Sequence, residues 1–334
     1  MYLIFLHAWD KNKRKSFGMK KTTLLIATIT LLTGFLQKAS AQYYFYDNSS
    51  YDTPLMFELG GSFGIMNCFT DLGGRKGLGK KGTKDLNVGN TKINGSIYLT
   101  ATYKEAIALR LEGTFGQVSA HDSILKSVQS STNGRYERNL SFKSKISEVS
   151  LVAEFHPLFI FIDWLSRDDE PPRVSPYIAA GVGLFTFNPQ AKNRNGKYVD
   201  LQPLSTEGQG FIEYPTRKPY KLTQINFPVG LGVRYELSPT FNLRAEFLYR
   251  ILNTDYLDDV STKYINTDYY SNYFTPGSRD WQDAIDLSSN QRVNGDFIKF
   301  RKTEGGIRGN PNNNDAYFTF NFKVGLTFGR ERQK

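Results

Sequence analysis

Apolar and polar residues alternate in the last stretch of the chain, between residues 316 and 328. One side of the alternation consists of Ala316, Phe318, Phe320, Phe322, Val324, Leu326 and Phe328. The other side consists of Tyr317, Thr319, Asn321, Lys323, Gly325 and Thr327. Because successive side chains of a β-strand point to opposite faces, this period of two predicts a strand with two different faces.

Seven earlier segments show the same alternation. They span residues 55–65, 93–103, 107–116, 147–155, 177–187, 225–235 and 241–251. The fifth has the weakest pattern because residues 177–183 are rich in Gly and Ala. Together with the last segment they predict eight strands of about 9–13 residues, a length that suits tilted strands crossing a bilayer.

The predicted connections between the strands alternate in length. Residues 104–106 and 236–240 form short turns, residues 156–176 an intermediate connection, and 66–92, 117–146, 188–223 and 254–315 long loops. Short turns at one end and long loops at the other are typical of bacterial outer-membrane proteins. The sequence therefore predicts an all-β fold: an eight-stranded antiparallel transmembrane barrel over residues 54–329, with short periplasmic turns, long extracellular loops and a tail at 330–334.

The predicted outward face carries no Lys, Arg, Asp or Glu in any of the eight segments. A single Arg or Lys at the bilayer midplane would cost about 2–4 kcal/mol. Aromatic residues cluster at the predicted periplasmic ends, at Tyr103, Phe155, Tyr235, Phe241 and Phe328. This face favours contact with outer-membrane lipid and lipopolysaccharide over a soluble β-sandwich or lipocalin-like barrel, which would expose its polar face.

The predicted inward face is charged and balanced. It carries Glu58, Arg110, Glu112, Glu148, Glu154, Arg234, Arg244, Glu246, Arg250 and Lys323. An eight-stranded barrel is just wide enough for side chains to fill it, and buried charges must be paired. We expect a salt-bridge network that plugs the lumen; the alternative is a narrow ion pathway. Pro228 also lies inward and predicts a bulge, because it cannot donate to the ladder.

The N-terminal residues 1–41 have the pattern of a secretory signal peptide. The true start is predicted at Met19, followed by a basic pair, an apolar run over 22–36 and the small residues Ala39 and Ala41; a membrane anchor is the alternative. Residues 42–53 form a short segment before the barrel. The net charge of the whole chain is +10, but this leader holds seven basic residues and one acidic residue, so the remainder carries only +4. No basic surface indicates a nucleic-acid partner.

Candidate chemistry is sparse, and the sequence predicts no enzyme, cofactor or metal site. Of the three His residues, none stands in a triad-like context, and the adjacent His121, Asp122 and Ser123 do not by themselves form a relay. Asp255, Asp258 and Asp259 could hold Ca²⁺, but a solvated loop is favoured. The basic, Gly-rich residues 73–82 are expected in a surface loop near lipopolysaccharide.

Cys68 is the chain's one cysteine. In an exported protein, an odd cysteine indicates either a disulfide with a partner chain or a tolerated free thiol. Both alternatives stay open at the level of sequence, and the partner disulfide is the hypothesis to test.

Several segments resemble the PorG-like outer-membrane barrel family of Bacteroidetes, whose namesake belongs to the type IX secretion system. The segments are PYIAAGVG (176–183), FNP (187–189), VDLQPLSTEGQG (199–210), LTQ (222–224), PVGLGV (228–233) and TDYLDDVS (254–261). The resemblance implies a non-enzymatic barrel that anchors periplasmic ring proteins of the secretion apparatus, and it singles out residues 201–210 and 256–261. The alternative function is a small-solute channel or a surface-binding structural barrel.

Overall fold

A computed structural model of the chain describes residues 54–73, 88–131, 135–161, 172–293, 296–299 and 304–329. The predicted signal peptide (1–41), the segment 42–53, the tail 330–334 and most of the Gly-rich stretch 73–82 lie outside the described residues. No helix among the described residues is both long enough and apolar enough to cross a membrane.

Eleven strands are present in the described part of the chain. They are β1 (Leu55–Phe69), β2 (Lys92–Tyr103), β3 (Ile107–His121), β4 (Ser141–Phe155), β5 (Val174–Lys192), β6 (Tyr198–Asp200), β7 (Thr223–Glu236), β8 (Phe241–Leu252), β9 (Asn290–Val293), β10 (Asp296–Lys299) and β11 (Ala316–Phe328). Eight of them pair in the order β4-β3-β2-β1-β11-β8-β7-β5, and β5 pairs with β4 to close the ring. Every pairing is antiparallel. The predicted eight-stranded antiparallel barrel is confirmed.

Several strands are longer than the alternation predicted, mainly at the end with the long loops. β4 begins at Ser141 rather than 147, and β5 runs to Lys192 rather than 187. In this extension Lys143 pairs with Gln190 and Lys145 with Asn188. The outward residues here are polar, so the alternation of apolar and polar residues in the sequence ends before the strand pairing does.

Pro228 does not cause the predicted bulge. The pairing of β5 with β7 keeps one register from Val174–Tyr235 to Thr186–Thr223 and is interrupted only around Phe227 and Pro228. On its other side Pro228 stays in register with Arg250. The missing N–H therefore removes ladder bonds toward one neighbour without an inserted residue.

The outward face is apolar around the ring. Phe63, Ile97 and Leu231 are 63%, 67% and 62% exposed, which is the state expected of side chains that contact lipid. Phe318 and Ala316 are exceptions to the predicted lipid contact, since both are buried. The Phe318 ring packs beside Phe69 and Phe247, with ring centroids 5.4 and 5.5 Å away, in an aromatic group near the rim.

The described loop residues at the long-loop end fold into one body, called here the cap: 70–73, 88–91, 122–131, 135–140, 193–222, 253–293, 296–299 and 304–315. It contains β6, β9, β10 and the helices α1 (Arg135–Arg138), α3 (Tyr270–Tyr273) and α4 (Arg279–Ser288), whereas α2 (Leu158–Phe161) lies at the opposite end. Short 3₁₀ turns span Val88–Asn90, Asp122–Ser131, Gln202–Leu204 and Thr267–Tyr269. The cap has its own apolar core, which includes Leu72, Leu204, Phe211, Tyr270 and Leu287.

Candidate functional site in the lumen and the cap

Arg110 lies at the centre of the barrel interior and contacts three carboxylates. Its guanidinium is 2.9 Å from Glu112 and 2.7 Å from Glu246, and it also bonds Glu154. None of these side chains is more than 1% exposed. A planar guanidinium can donate in several directions at once, which explains why an Arg rather than a Lys holds this position.

Two further cations complete one connected network. Lys323 Nζ lies 2.7 Å from Glu112 and 2.8 Å from Glu246. Arg244 lies 2.7 Å from both Glu58 and Glu154. Three cations and four carboxylates on five strands are thereby joined, so the network links opposite sides of the barrel.

The remaining predicted charges form two separate pairs. Arg250 Nε is 3.2 Å from Glu148. Arg234 pairs with Glu105 at 2.5 Å, and Glu105 was not among the predicted interior residues. Glu105 sits in the β2–β3 turn with a positive φ of 57°, and this turn geometry aims its side chain inward. The structure thus buries all ten predicted residues and brings seven of them into one network.

Two tyrosines that sequence reasoning missed complete the hydrogen bonding of the carboxylates. Tyr98 donates to Glu58 at 2.7 Å and Tyr177 donates to Glu246 at 2.9 Å. Their inward parity within β2 and β5 is the signal that could have found them.

Apolar side chains fill the upper lumen, above the charged network. Above the network, toward the cap, lie Met66, Val118, Ile146, Phe185 and Phe187, all at most 2% exposed. Phe185 and Phe187 stack with centroids 5.3 Å apart, and Tyr317 packs against Phe185. The apolar core of the cap continues into this layer, so the charges are covered on that side.

The opposite end of the lumen contains a Ser–His–Glu arrangement. His156 Nδ1 lies 2.9 Å from Ser175 Oγ, and Nε2 lies 3.4 Å from Glu154 Oε2. This corrects the expectation that no His meets a Ser and an acid, because pairing of β4 and β5 joins residues distant in sequence. Burial lowers the pKa of His156. All three side chains are buried, and Glu154 is already bound by two arginines.

His121, the histidine of the adjacent His121, Asp122 and Ser123, does not form a catalytic relay with these two neighbours. Its Nδ1 contacts Ser123 Oγ at 2.8 Å, but Asp122 turns away from it. Asp122 instead binds Arg138 at 2.8 Å and accepts the backbone N–H groups of Gly73 and Leu140. Its role is therefore to join three segments of the cap.

Glu207 joins the two segments singled out by the family resemblance. Its carboxylate accepts the backbone N–H groups of Ser261 and Thr262 and the Thr262 hydroxyl at 2.6–3.1 Å. Arg308 lies 2.9 Å from Glu207 and also donates to the carbonyl oxygen of Asp259. Glu207 is fully buried, so these bonds form in the interior of the cap.

Asp259 connects the same two segments a second time. It accepts hydrogen bonds from Thr206 at 2.5 Å and from Tyr220 at 2.7 Å. Residues 201–210 and 256–261, which are some fifty positions apart, are therefore bonded to each other in the cap.

Four carboxylates of the cap lie close enough to interact: Asp71, which is half-buried, and the buried Asp255, Asp258 and Asp315. Burial raises the pKa of Asp71 to about 6 and that of Asp255 to about 9. Burial and the neighbouring carboxylates also raise the pKa values of Asp258 and Asp315. The predicted solvated loop at Asp255, Asp258 and Asp259 is wrong, because all three are at most 7% exposed. Among the described residues no group of three or more His, Cys, Asp or Glu is arranged to hold a metal ion.

Cys68 is a free thiol, 6% exposed, within the apolar core shared by β1 and the cap. A disulfide with a partner chain, the hypothesis drawn from the sequence, would require this part of the core to open. The thiol packs as a small apolar side chain in the closed structure.

Solved structures of outer-membrane proteins resemble this chain, whereas no protein-family model and no curated protein matches its sequence. One is Neisserial surface protein A (10% identity, 82% of this chain and 97% of that chain, TM-score 0.36). Others are a major outer membrane protein from Thermus thermophilus (11%, 82% and 99%, 0.36) and OprG from Pseudomonas aeruginosa (12%, 83% and 97%, 0.33).

At such low identities and TM-scores, the fold and its location rest on the chain's own geometry. A closed antiparallel ring leaves no strand edge unpaired, and its exterior is apolar. Short turns, at 104–106 and 237–240, lie at one end and the cap lies at the other. The chain is an eight-stranded β-barrel of the bacterial outer membrane, with its cap on the extracellular side.

Proposed function

We propose that the protein is a non-enzymatic, non-conducting outer-membrane barrel that acts as a scaffold in protein export of the type IX kind. The filled lumen is the observation that supports a rigid, non-conducting barrel. Ion pairs centred on Arg110 occupy its middle and aromatic side chains cover them above. A barrel filled in this way resists deformation but leaves solutes no path.

The export part rests on the resemblance in sequence. Its segments 199–210 and 254–261 form the hydrogen-bonded interior of the cap, and 176–183 and 228–233 belong to two adjacent strands, β5 and β7. The segments therefore support a shared barrel and cap. A periplasmic partner would meet the opposite end, where Ile160 and Phe161 of α2 are 51% and 80% exposed.

Conductance tests the closed lumen. Reconstituted into a planar bilayer, the protein should show no stable open-channel current. Steady channels of large conductance would contradict the proposal and favour the small-solute channel.

Co-purification tests the scaffold role. The protein should bring down periplasmic ring components from detergent-solubilised membranes, and deletion of its gene should reduce the export of C-terminally tagged cargo. The variant I160S/F161S should lose the partner, whereas I212S, which removes an exposed apolar side chain of the cap, should retain it. Unchanged export in the deletion strain would remove the secretion role.

A surface-binding barrel is the second candidate, and the folded cap favours it. Loops that only connect strands do not need an apolar core and buried ion pairs such as Glu207–Arg308. If deletion leaves export unaffected, this function is tested by comparing the binding of external ligands to cells with the unmodified protein and to cells with E207A, which removes the buried Glu207 carboxylate from the cap.

A further inference from the structure

One sector of the barrel exterior changes from apolar to basic just above the lipid-facing band. On β4 the outward residues run from Leu151 and Val149 to Ser147, Lys145 and Lys143. On the paired strand β5 they run from Leu184, the partner of Val149, to Thr186, Asn188 and Gln190. Val149 and Leu184 are each 58% exposed, so the apolar band reaches this pair and ends there.

The two lysines lie above the last outward apolar pair, Lys145 near the outer edge of the headgroup layer and Lys143 beyond it. Each strand residue rises about 3.3 Å, so Lys145 is about 13 Å and Lys143 about 20 Å along β4 from Val149, or about 10 Å and about 15 Å above it for a strand tilted by about 40°. The headgroup layer extends roughly 5–8 Å beyond the hydrocarbon on each side. A lysine side chain can bend back toward that layer while its stem covers apolar surface.

Further side chains in this sector complete a cationic and aromatic surface. Lys143 Nζ lies 3.3 Å from the centre of the Tyr198 ring, and Lys192 Nζ lies 5.4 Å from it. Lys145 and Lys192 are exposed. Among the described residues, none of these three lysines forms an ion pair with a carboxylate. Asp200, at the end of β6, accepts hydrogen bonds from Asn188 and Gln190.

The opposite sector, as far as the structure describes it, has no such lysines. There the rim carries Phe69, Tyr249 and Phe318, whose rings contact one another. Among the described residues, the two sectors of this rim therefore differ in charge.

We infer that Lys143, Lys145 and Lys192, together with Tyr198, bind phosphate groups of the outer-leaflet glycolipid, lipopolysaccharide. The inference rests on the proposed placement of the protein in the outer membrane and adds a lipid site to it. Anionic headgroups and juxtamembrane lysines attract one another, while the acyl chains of the same molecule lie against Val149 and Leu184. Free phosphate lacks those chains and binds only through the lysines.

The test uses the full-length protein in detergent, titrated with diphosphoryl lipid A, dephosphorylated lipid A or inorganic phosphate. The variant K143Q/K145Q should bind diphosphoryl lipid A about 10- to 30-fold more weakly than the unmodified protein. The charge-matched control K218Q/K263Q, which changes two exposed lysines of the cap, should bind it unchanged. The unmodified protein should prefer the diphosphoryl lipid, and its binding should weaken as salt is added.

Equal affinity of K143Q/K145Q and the unmodified protein would overturn the inference, as would equal binding of dephosphorylated lipid A. If millimolar inorganic phosphate displaced diphosphoryl lipid A, the site would be one for free phosphate rather than for the lipid. If unheated and heated samples of the variant still migrate differently on gels, as those of a folded barrel do, the variant is folded. Membrane fractionation of the variant and bilayer conductance test the proposed function independently of lipid binding. A loss of lipid binding alone therefore does not contradict the proposed function.

Discussion

The ring of Tyr98 fills the space that a side chain at Gly60, its direct cross-strand partner, would occupy. A Cβ built on Gly60 would lie 2.4 Å from the tyrosine ring. The same relationship recurs across the barrel, where the Tyr177 ring lies 2.4 Å from the corresponding point on its partner Gly232. In both cases the glycine lets an aromatic ring cross the lumen and present its hydroxyl to a carboxylate of the network.

Replacement of Gly60 by alanine should therefore destabilise the barrel. The added methyl group meets both the Tyr98 ring and the carbonyl oxygen of Val324, which is backbone and cannot move aside. Overpacking of this kind costs about 1–3 kcal/mol. The matched control G61A places its methyl group outward, 3.5 Å from the nearest atom. Urea titrations of folded and unfolded bands on gels should show a lower midpoint for G60A only; equal midpoints would contradict the packing.

Removal of Arg110 should cost more than removal of any exposed ion pair. The variant R110M leaves three buried carboxylates with fewer cations, and the loss of one partner from a buried pair costs about 3–5 kcal/mol. Arg194 pairs with Asp286 while remaining 54% exposed, and Asp286 keeps the side-chain amide of Gln282 as a donor, so R194M should cost less than R110M. The same urea titration measures both variants, and similar midpoints would show that the luminal network adds little.

The face of each strand that meets lipid could be predicted from the sequence because alternation is a local property. Arg110 and Lys323 are inward by parity alone, without knowledge of any neighbour. Their partners could not be predicted, since the register of eight strands decides which inward residues meet. The pair Arg234–Glu105 shows this limit, because Glu105 enters the lumen from a turn with no alternation.

The cap could not be predicted for a related reason. Its segments have no period, and its stability comes from contacts between residues far apart in the chain, such as Arg138 with the carbonyl oxygens of Asp71 and Arg308. The three aspartates at 255–259 were therefore predicted to lie in a solvated loop, because the sequence does not reveal which segments of the cap cover them.

Loss of the Glu207 carboxylate should open the cap while the barrel remains intact. In E207A the N–H groups of Ser261 and Thr262 and the guanidinium of Arg308 lose their acceptor. Each unsatisfied buried group costs roughly 1–3 kcal/mol. Trypsin should then cut after the exposed Lys263 much faster than in the unmodified protein. In the control E213A, which removes a carboxylate bonded at the surface to Tyr273, cleavage should stay slow.

The Cys68 thiol should be unreactive toward maleimide in the folded protein and react fully in urea. It is buried in the core beneath the cap, so a reagent reaches it only when that core opens. A cysteine at the exposed Thr216, introduced together with C68S, should react at once and serves as the control. Rapid labelling of folded Cys68, or a disulfide-linked species on non-reducing gels of intact cells, would revive the partner disulfide.

The stability of the cap should fall as the pH rises from about 4 to 9. Asp71 and Asp255 have folded pKa values of about 6 and about 9 against an ordinary value of 3.8. Below about pH 4 each of these acids is protonated in both the folded and the unfolded chain, so it does not change the free energy of unfolding. Above about pH 4 the acid ionises in the unfolded chain first. The free energy of unfolding therefore falls with rising pH until the pKa of that acid in the folded protein is passed. Asp258 and Asp315 act in the same direction, while Arg138 opposes them at Asp71 and Asp258.

The fluorescence of Trp281, followed during heating with Trp164 replaced by Phe, reports cap melting because the Trp281 side chain packs against the cap core. The melting temperature should be higher at pH 5 than at pH 8. The variant D255N mimics the protonated acid, so it should raise the melting temperature at pH 8 and flatten the pH dependence. The control D280N, at an exposed position on α4, should keep the pH dependence of the unmodified protein. A melting temperature that is constant between pH 5 and 8 would show that these acids are not protonated in the closed cap.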